Sequence, residues 1–266
     1  MKKTLLIVIT SFISILITVT IFIKNKTNFK NSYLKYNQET IEKQSNLPTN
    51  IIINTPTFSP NKTGYKSNWI IVNEPSKIFL YSNLKEKRNS YELATLNNCA
   101  HLISGGFYDK NGKHIGLFVS QGELLSPYEE NQLFNGYFSI DYENKIEITE
   151  YPIFKPRISL QSGPILIRKG NKITIKLKND ENSRRIVLGL TKKNKVLFMA
   201  IYDESNNFSG PKLEELPNLI EKINIENDLE LMDVINLDGG SHSAFISDYI
   251  SISELSIIGS YFCIKP

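Results

Sequence analysis

The chain has 266 residues, of which 41% are hydrophobic and 22% charged, as expected for a globular protein with a sizeable core. Its formal net charge is +4, but its lysines and arginines are scattered and form no basic stripe, which argues against nucleic-acid binding. The three histidines and two cysteines show neither metal-ligand spacing nor a C-x-x-C motif, so we expect no metal and no other cofactor.

An apolar run from Thr4 to Ile23 follows two lysines and is about long enough to span a bilayer. It is longer than the apolar core of a typical cleaved signal, and no alanine precedes Ala94 to form a small-residue cleavage site. We therefore predict an uncleaved signal anchor over 1–24, with a cleaved signal and a secreted protein as the alternative. Lysines flank both ends of the run, so they do not settle its orientation, but we expect the domain on the extracytoplasmic side.

The segment 25–66 is polar and rich in Asn, Thr, Ser and Lys. Its few apolar residues show no sustained period, so it cannot bury enough apolar surface to offset the entropy lost on ordering. We predict a polar linker that holds a folded domain, residues 67–266, away from the membrane.

Short apolar runs separated by turn residues dominate the predicted domain, as expected for strands. Strands are predicted at 69–72, 78–81, 115–119, 136–140, 145–148, 165–167, 173–175, 186–190, 196–202 and 234–237 and within 256–264, and helices at 91–102 and 213–223. The pattern predicts an α+β domain in which a few helices pack on a mainly antiparallel β-sheet.

The segment from Val234 to Ser243 joins an apolar strand to an acid, two glycines and two hydroxyls. Asp238 is predicted to lie at the strand end. Gly239 and Gly240 let the backbone adopt positive φ and approach another group closely, so their N–H groups could form an anion-binding nest. The alternative is a plain β-turn, in which Asp-Gly is common.

Three further motifs precede this one in a fixed order: Ser104–Asp109, Gln161–Leu166 and Arg184–Gly189. Together with Leu237–Ser241 they resemble the phosphodiester glycosidase family, and the resemblance extends from about Trp69 to the C-terminus. It implies a β-rich fold with helices. It also implies an enzyme that cleaves the bond between a sugar's anomeric carbon and a phosphate oxygen, acting on a carbohydrate-phosphate substrate.

Such chemistry needs a carboxylate on the sugar side and cationic groups around the phosphate. Asp238 is the first choice for the carboxylate, with Asp203 and Asp109 behind it, although each of those two would equally suit a turn. Arg185 is the candidate phosphate ligand, because the family has an arginine just before this strand's apolar core. Alternation along a strand would turn Arg184 to the opposite face.

The resemblance also implies a set of substrate-binding positions in the glycine motifs. They are Ser104, Gly105, Gly106, Asp109, Gly163, Gly239, Gly240, Ser241 and Ser243. Two residues depart from the family pattern: Ser104 stands where asparagine is usual, and His242 lies among residues that are usually small or hydroxylated. The His242 imidazole could act as an acid, a base or a phosphate donor, or it could occlude the pocket.

The sequence thus predicts an exported, membrane-anchored hydrolase of sugar phosphodiesters, with a cell-surface polymer as a plausible substrate. The alternative is a non-catalytic glycan- or phosphate-binding domain on a membrane stalk. Cys99 and Cys263 could form a disulfide or could be two separate buried side chains.

Overall fold

The computed structural model describes residues 64–266, which form two short α-helices and sixteen strands. The helices are α1 (Ser90–Leu96) and α2 (Leu216–Glu226), and short 3-10 segments lie at Pro75–Lys77, Leu213–Glu215 and Gly240–His242. The strands are β1 (Tyr65–Val72), β2 (Ile78–Ser82), β3 (His101–Ser104), β4 (Phe118–Ser120), β5 (Glu123–Ser126), β6 (Gly136–Ile140), β7 (Ile146–Thr149), β8 (Ile158–Ser162), β9 (Ile165–Arg168), β10 (Asn171–Lys172), β11 (Arg185–Thr191), β12 (Val196–Asp203), β13 (Leu231–Leu237), β14 (Phe245–Ile246), β15 (Ser251–Ile252) and β16 (Ser260–Ile264).

These strands form three antiparallel sheets. The first has the order β1-β12-β11-β13-β9-β10, the second β15-β14-β3-β16-β2, and the third β5-β4-β8-β6-β7. Because β11 is antiparallel to both of its neighbours, β12 and β13 run in the same direction and end at the same edge of the first sheet. This architecture confirms the predicted α+β class.

The main hydrophobic core takes side chains from all three sheets. Buried members include Leu188 of the first sheet, Leu80 and Ile103 of the second, and Phe118 and Phe138 of the third. Burying each such side chain stabilises the fold by about 1.5–3 kcal/mol. The core therefore fixes the three sheets relative to one another.

A second core lies between the first sheet and α2. Leu216, Ile220 and Ile223 of α2 recur at helical spacing and are buried against the sheet. Strand β12 contributes to both cores, because its alternating side chains point to opposite faces. For this reason β12 is apolar almost throughout.

The region after α1 differs from the prediction of one helix over 91–102. Helix α1 begins after Asn89, whose Oδ1 accepts a hydrogen bond from Glu92 N at 3.0 Å, and it ends at Leu96. Asn98 then has a φ of +46°, and the chain continues as β3, which pairs with β14 and β16. Tertiary pairing thus outweighs local helix propensity here.

The strand predicted at 173–175 is also wrong, since only Asn171 and Lys172 form β10 at the edge of the first sheet.

Cys99 and Cys263 form a disulfide between the segment after α1 and β16, with their Cα atoms 5.2 Å apart. They are separated by 164 positions in the sequence, and the bond links the segment just before β3 to β16, its neighbour in the second sheet.

The predicted signal anchor and all but the last residues of the predicted linker lie outside the described residues. Within 64–266, no helix is both long and apolar enough to cross a membrane. The first described strand, β1, begins at Tyr65. The division into an anchor (1–24), a linker (25–66) and a folded domain (67–266) stays a prediction.

Candidate active site

Asp238 directly follows β13 and is tied to the end of β3. Its backbone N–H donates to the carbonyl of Gly105 at 2.9 Å, and Ser104 Oγ donates to the carbonyl of Asp238 at 3.2 Å. Two motifs that are more than a hundred residues apart in the sequence therefore meet at the junction of the first and second sheets.

The two glycines after Ser104 lie in close contact with neighbouring side chains. A Cβ atom on Gly105 would lie 2.6 Å from Ser260 Oγ, and one on Gly106 would lie 2.5 Å from Leu160 Cδ1. Ser260 Oγ also accepts a hydrogen bond from Gly106 N at 2.9 Å. Larger residues at these positions would force Ser260 or Leu160, or the Ser104–Gly106 segment itself, to shift.

The surroundings of Asp238 favour the protonated form of its carboxyl group. Burial raises the pKa of this carboxyl well above its ordinary value of 3.8, and the N–H of Gly239 lowers the pKa only in part. The residue nevertheless keeps some solvent exposure. A protonated carboxyl that solvent still reaches could donate a proton to a ligand.

Tyr108 lies next to Asp238. The pKa of its phenol is raised by burial and, to a smaller extent, by the negative charge of Asp238. The phenol donates to the carbonyl of Ile257 at 2.7 Å, and its ring meets the His242 ring edge to face, with 5.9 Å between centroids. Tyr108 belongs to the Ser104–Asp109 motif, but the sequence pattern indicates no role for its side chain.

His242 is exposed, and its Nδ1 lies 3.1 Å from Ser241 Oγ. Its ring and the ring of Tyr108 together form one side of the Asp238 site. The predicted site residues Asp238, Ser104, Gly105, Ser241 and His242 are thus brought together by the fold.

The turn from Gly239 to Ser243 differs in detail from an open anion nest. Gly240 has a φ of +59°, as expected for glycine, but its N–H donates to the carbonyl of Arg184 at 2.8 Å and is not free to bind an anion. Ser243 is buried, and its Oγ donates to the carbonyl of Gly240 at 2.8 Å. A Cβ on Gly239 would collide with the carbonyl oxygen of Arg184, so glycine is needed there too.

The two adjacent arginines have different surroundings, although strand alternation does not apply to them, because β11 begins at Arg185 and Arg184 lies before it. Arg185 donates to the carbonyl of Pro211 at 2.9 Å and that of Glu181 at 2.6 Å, and its Nη2 lies 3.3 Å from Asp180 Oδ1. The expected phosphate ligand is therefore engaged with Asp180 near the start of α2. Arg184, instead, is the arginine that contacts the Gly239–Ser243 turn.

Asp203 and Asp109 both bond to neighbouring turn residues. Asp203 ends β12 at the same sheet edge as Asp238, but its Oδ1 accepts from Ser205 Oγ at 2.6 Å and from Ser205 N at 2.7 Å. Asp109 Oδ1 accepts from Asn111 N and Lys113 N, each at 2.9 Å. These hydrogen bonds lower the pKa of both carboxyls, which suits turn residues rather than proton donors.

Gly163 positions a loop beside β13. Asn236, two residues before Asp238, donates from Nδ2 to the carbonyl of Gly163 at 3.0 Å. Gly163 packs so closely under the backbone of 133–135 that a Cβ there would collide with it. Gln161 holds the same loop by donating to the carbonyl of Phe134 at 2.9 Å, and the rings of Phe134 and Phe107 stack at 4.6 Å.

Through Phe134 and Phe107, this loop packs against the segment that follows Gly106. Gln161 belongs to one of the sequence motifs, but its bracing role could not be read from the sequence alone. Within residues 64–266, no group of three or more His, Cys, Asp or Glu side chains is placed to hold a metal ion.

Comparisons with known proteins agree with this fold. The sequence matches the family model of the phosphodiester glycosidases over residues 97–257. No curated protein sequence gives a significant match.

Several solved structures share the fold. One is the catalytic domain of zebrafish N-acetylglucosamine-1-phosphodiester alpha-N-acetylglucosaminidase, auto-inhibited by its pro-peptide, with 16% identity and a TM-score of 0.57 over 80% of this chain and 87% of that chain. A hypothetical protein from Synechocystis has 10% identity and a TM-score of 0.57, covering 77% of this chain and 60% of that chain. A Burkholderia pseudomallei protein has 9% identity and a TM-score of 0.54, and the match covers 76% of this chain and 74% of that chain.

Proposed function

Because the chain belongs to the phosphodiester glycosidase family, we propose that it is a hydrolase that cleaves the glycosyl–phosphate bond of a sugar 1-phosphodiester. The observation that carries this proposal is Asp238, a carboxyl group whose pKa is raised by burial but which still reaches solvent. Carboxyls in such surroundings serve as proton donors near neutral pH.

In the proposed reaction, the bond between the anomeric carbon and the phosphate oxygen breaks while Asp238 transfers its proton to that oxygen. A water molecule forms the new bond to the anomeric carbon and releases its proton to the imidazole of His242. The products are the free sugar and a phosphomonoester. Positive charge builds up on the sugar as this bond breaks, and protonation of the departing phosphate oxygen assists the break.

The aromatic side chains in and around the Ser104–Asp109 motif suit a sugar ring. The rings of Tyr108 and His242 meet edge to face, and those of Phe107 and Phe134 stack. Aromatic faces beside a few polar groups are the usual lining of sites that bind small organic ligands. The Ser241 hydroxyl adds a polar group next to His242.

We also propose that the protein is exported and anchored to a membrane by its N-terminal apolar run. The Cys99–Cys263 disulfide supports an oxidising compartment outside the cytoplasm. A cell-surface glycan with glycosyl–phosphate bonds would then be the natural substrate. Expressed with its native N-terminus, the full-length protein should remain in the membrane fraction, whereas a soluble mature form that begins near residue 25 would contradict the anchor.

A second candidate function is binding without turnover. The departures from the family pattern favour it: Ser104 supplies one hydroxyl where asparagine would supply both an amide donor and an acceptor, and His242 occupies an exposed position in the turn. A non-catalytic domain would keep the cleft and its affinity for sugar phosphates.

The two functions are separated by assaying the full-length protein against a panel of sugar 1-phosphodiesters. The hydrolase proposal predicts release of free sugar, and a fall in kcat of at least about a hundredfold in Asp238→Asn, because the proton donor is lost. Asp141→Asn is a matched control, since Asp141 caps a distant turn through hydrogen bonds that asparagine can also accept. If wild type and Asp238→Asn both bind a phosphodiester and neither cleaves it, the binding function replaces the hydrolase.

A further inference from the structure

Arg184 is fully buried and connects three loops around the Asp238 site. Its Nε donates to Ser243 Oγ at 2.8 Å, and its Nη1 donates to the carbonyl of Asn207 at 3.1 Å. Its Nη2 donates to the carbonyls of Gly240 at 2.9 Å, Ser243 at 2.5 Å and Ser253 at 3.1 Å. All three guanidinium nitrogens therefore donate to neutral acceptors.

The charge of Arg184 has no carboxylate partner at salt-bridge distance among residues 64–266, in contrast to the charge of Arg185, which faces Asp180. The acid that acts on Arg184 is Glu254, which partly opposes the effect of burial on its pKa. Glu254 itself accepts two hydrogen bonds from Ser90. Burial lowers the pKa of Arg184 only to about 10, so the group is charged at neutral pH.

A buried charge is costly unless an opposite charge approaches it. At Arg184, carbonyl dipoles and the Phe208 ring, 4.9 Å from the guanidinium carbon, provide part of that compensation. The protein thus holds a positive charge directly behind the Gly239–Ser243 turn, and an anion in front of the turn would complete its compensation.

The hydrogen bond to Gly240 also sets the orientation of the turn. In a trans peptide the C=O and N–H groups point in opposite directions. The carbonyl of Gly240 points to the buried Arg184, so the N–H of Ser241 in the same peptide points away from it, towards the surface where Ser241 is partly exposed and His242 is exposed to solvent.

We propose that Arg184, acting through the Gly239–Ser243 turn, supplies the positive charge that selects the phosphate group of the ligand. Arg184 is a positioning residue: it does not touch the anion, but it orients the Ser241 N–H towards it and places a charge behind that peptide. Arg185 has no such role, because Asp180 neutralises it. This inference rests on the proposed function for the identity of the substrate, whereas the anion preference of the turn is separable from catalysis.

Two substitutions in the full-length protein separate the charge of Arg184 from its hydrogen bonds. Arg184→Lys and Arg184→Met both lose the planar fork, but only Arg184→Met loses the charge. The readout is kcat/KM for a sugar 1-phosphodiester divided by kcat/KM for a neutral aryl glycoside of the same sugar. We expect Arg184→Met to lower this ratio at least about tenfold, while Arg184→Lys keeps it within about threefold of wild type. Arg185→Met is the matched control and should leave the ratio unchanged. Equal losses on both substrates in the Lys and Met variants would show that Arg184 is only structural, and would overturn the proposal.

Phosphate binding tests the inference when turnover fails. If wild type cleaves neither substrate, the proposed function is contradicted, and calorimetry with inorganic phosphate then decides the role of Arg184. Binding that is lost in Arg184→Met but kept in Arg184→Lys supports the proposed role of Arg184. No binding by wild type, or equal affinity in all three proteins, overturns it.

Glu254→Gln tests the same proposal if Arg184→Met does not fold. The negative charge of Glu254 partly compensates the positive charge of Arg184. Removing it should tighten phosphate binding roughly twofold to fivefold, and unchanged or weaker binding would contradict the proposal.

Discussion

Asp109, Asp203 and Asp238 each lie at a strand end or in a turn, but the surroundings of their carboxyl groups differ. Asp109 and Asp203 accept hydrogen bonds from nearby residues, which stabilise the charged form and lower the pKa. Burial around Asp238 does the opposite and raises its pKa. Environments that push the pKa values of similar acids apart are how enzymes assign proton-transfer roles.

The raised pKa of Asp238 makes a prediction about stability. The folded protein binds this proton more tightly than the unfolded chain, whose aspartate has the ordinary pKa near 3.8. Between the two pKa values the folded state holds more protons, so the free energy of unfolding falls as pH rises. Stability from this group is complete below the unfolded pKa and lost above the raised one. Asparagine does not ionise, so Asp238→Asn should melt at a higher temperature than wild type at about pH 8, with the difference vanishing towards about pH 4.

Thermal melts across this pH range, with Asp141→Asn as the control, measure the effect. A constant difference at all pH values, or a less stable Asp238→Asn protein at high pH, would show that Asp238 is an ordinary turn residue.

A second prediction for a single residue concerns His242. If its imidazole accepts the proton of the attacking water, His242→Ser should lower kcat by about tenfold to a hundredfold on a sugar 1-phosphodiester. His242 is exposed, so the melting temperature should change little. Steady-state kinetics decide the role, since a rise in kcat would mean that the ring occludes the pocket.

Some site residues could be proposed from the sequence and others could not. Asp238 and its glycines form one continuous stretch, so the acid at a strand end was visible as a pattern. Gln161 and Tyr108 act through contacts with loops that are distant in the sequence. The different engagement of Arg184 and Arg185 likewise depends on their partners in the folded chain.

At the scale of the elements, periodicity was informative where a strand is buried and weak where it is exposed. The apolar run of β12 and the alternation of β7 predicted strands at the right places. Strand β5, Glu123–Ser126, is almost wholly exposed and was missed. The predicted helix over 91–102 covers the first two residues of β3, because the pairing of β3 with β16 is a long-range contact that the local pattern does not show.

At the scale of the elements, the testable prediction concerns the Cys99–Cys263 disulfide. It closes a loop of 164 residues, so replacing both Cys99 and Cys263 by alanine should lower the free energy of unfolding. The expected loss is about 2–5 kcal/mol, mainly through the greater freedom of the unfolded chain. Urea denaturation of the wild type with and without a thiol reductant should reproduce the loss, while the double variant should not respond to reductant. Identical curves for all samples would contradict the bond.

At the scale of the whole molecule, the site forms where the three sheets come together. Strand β13 brings Asp238 from the first sheet, β3 brings Ser104 and the following glycines from the second, and Gln161 at the end of β8 braces the adjoining loop from the third. The shared core sets these distances. Such a site is available only in the fully folded domain, which is why separate glycine motifs along the sequence had to be read together.

The central claim, that this domain hydrolyses a glycosyl–phosphate bond at the sugar carbon, is tested most directly by running the reaction in water labelled with heavy oxygen. The proposed mechanism forms the new bond between water and the anomeric carbon, so mass spectrometry should find the label in the anomeric hydroxyl of the released sugar and none in the phosphomonoester. Label in the phosphate would mean that the phosphorus–oxygen bond breaks instead, and would contradict the account.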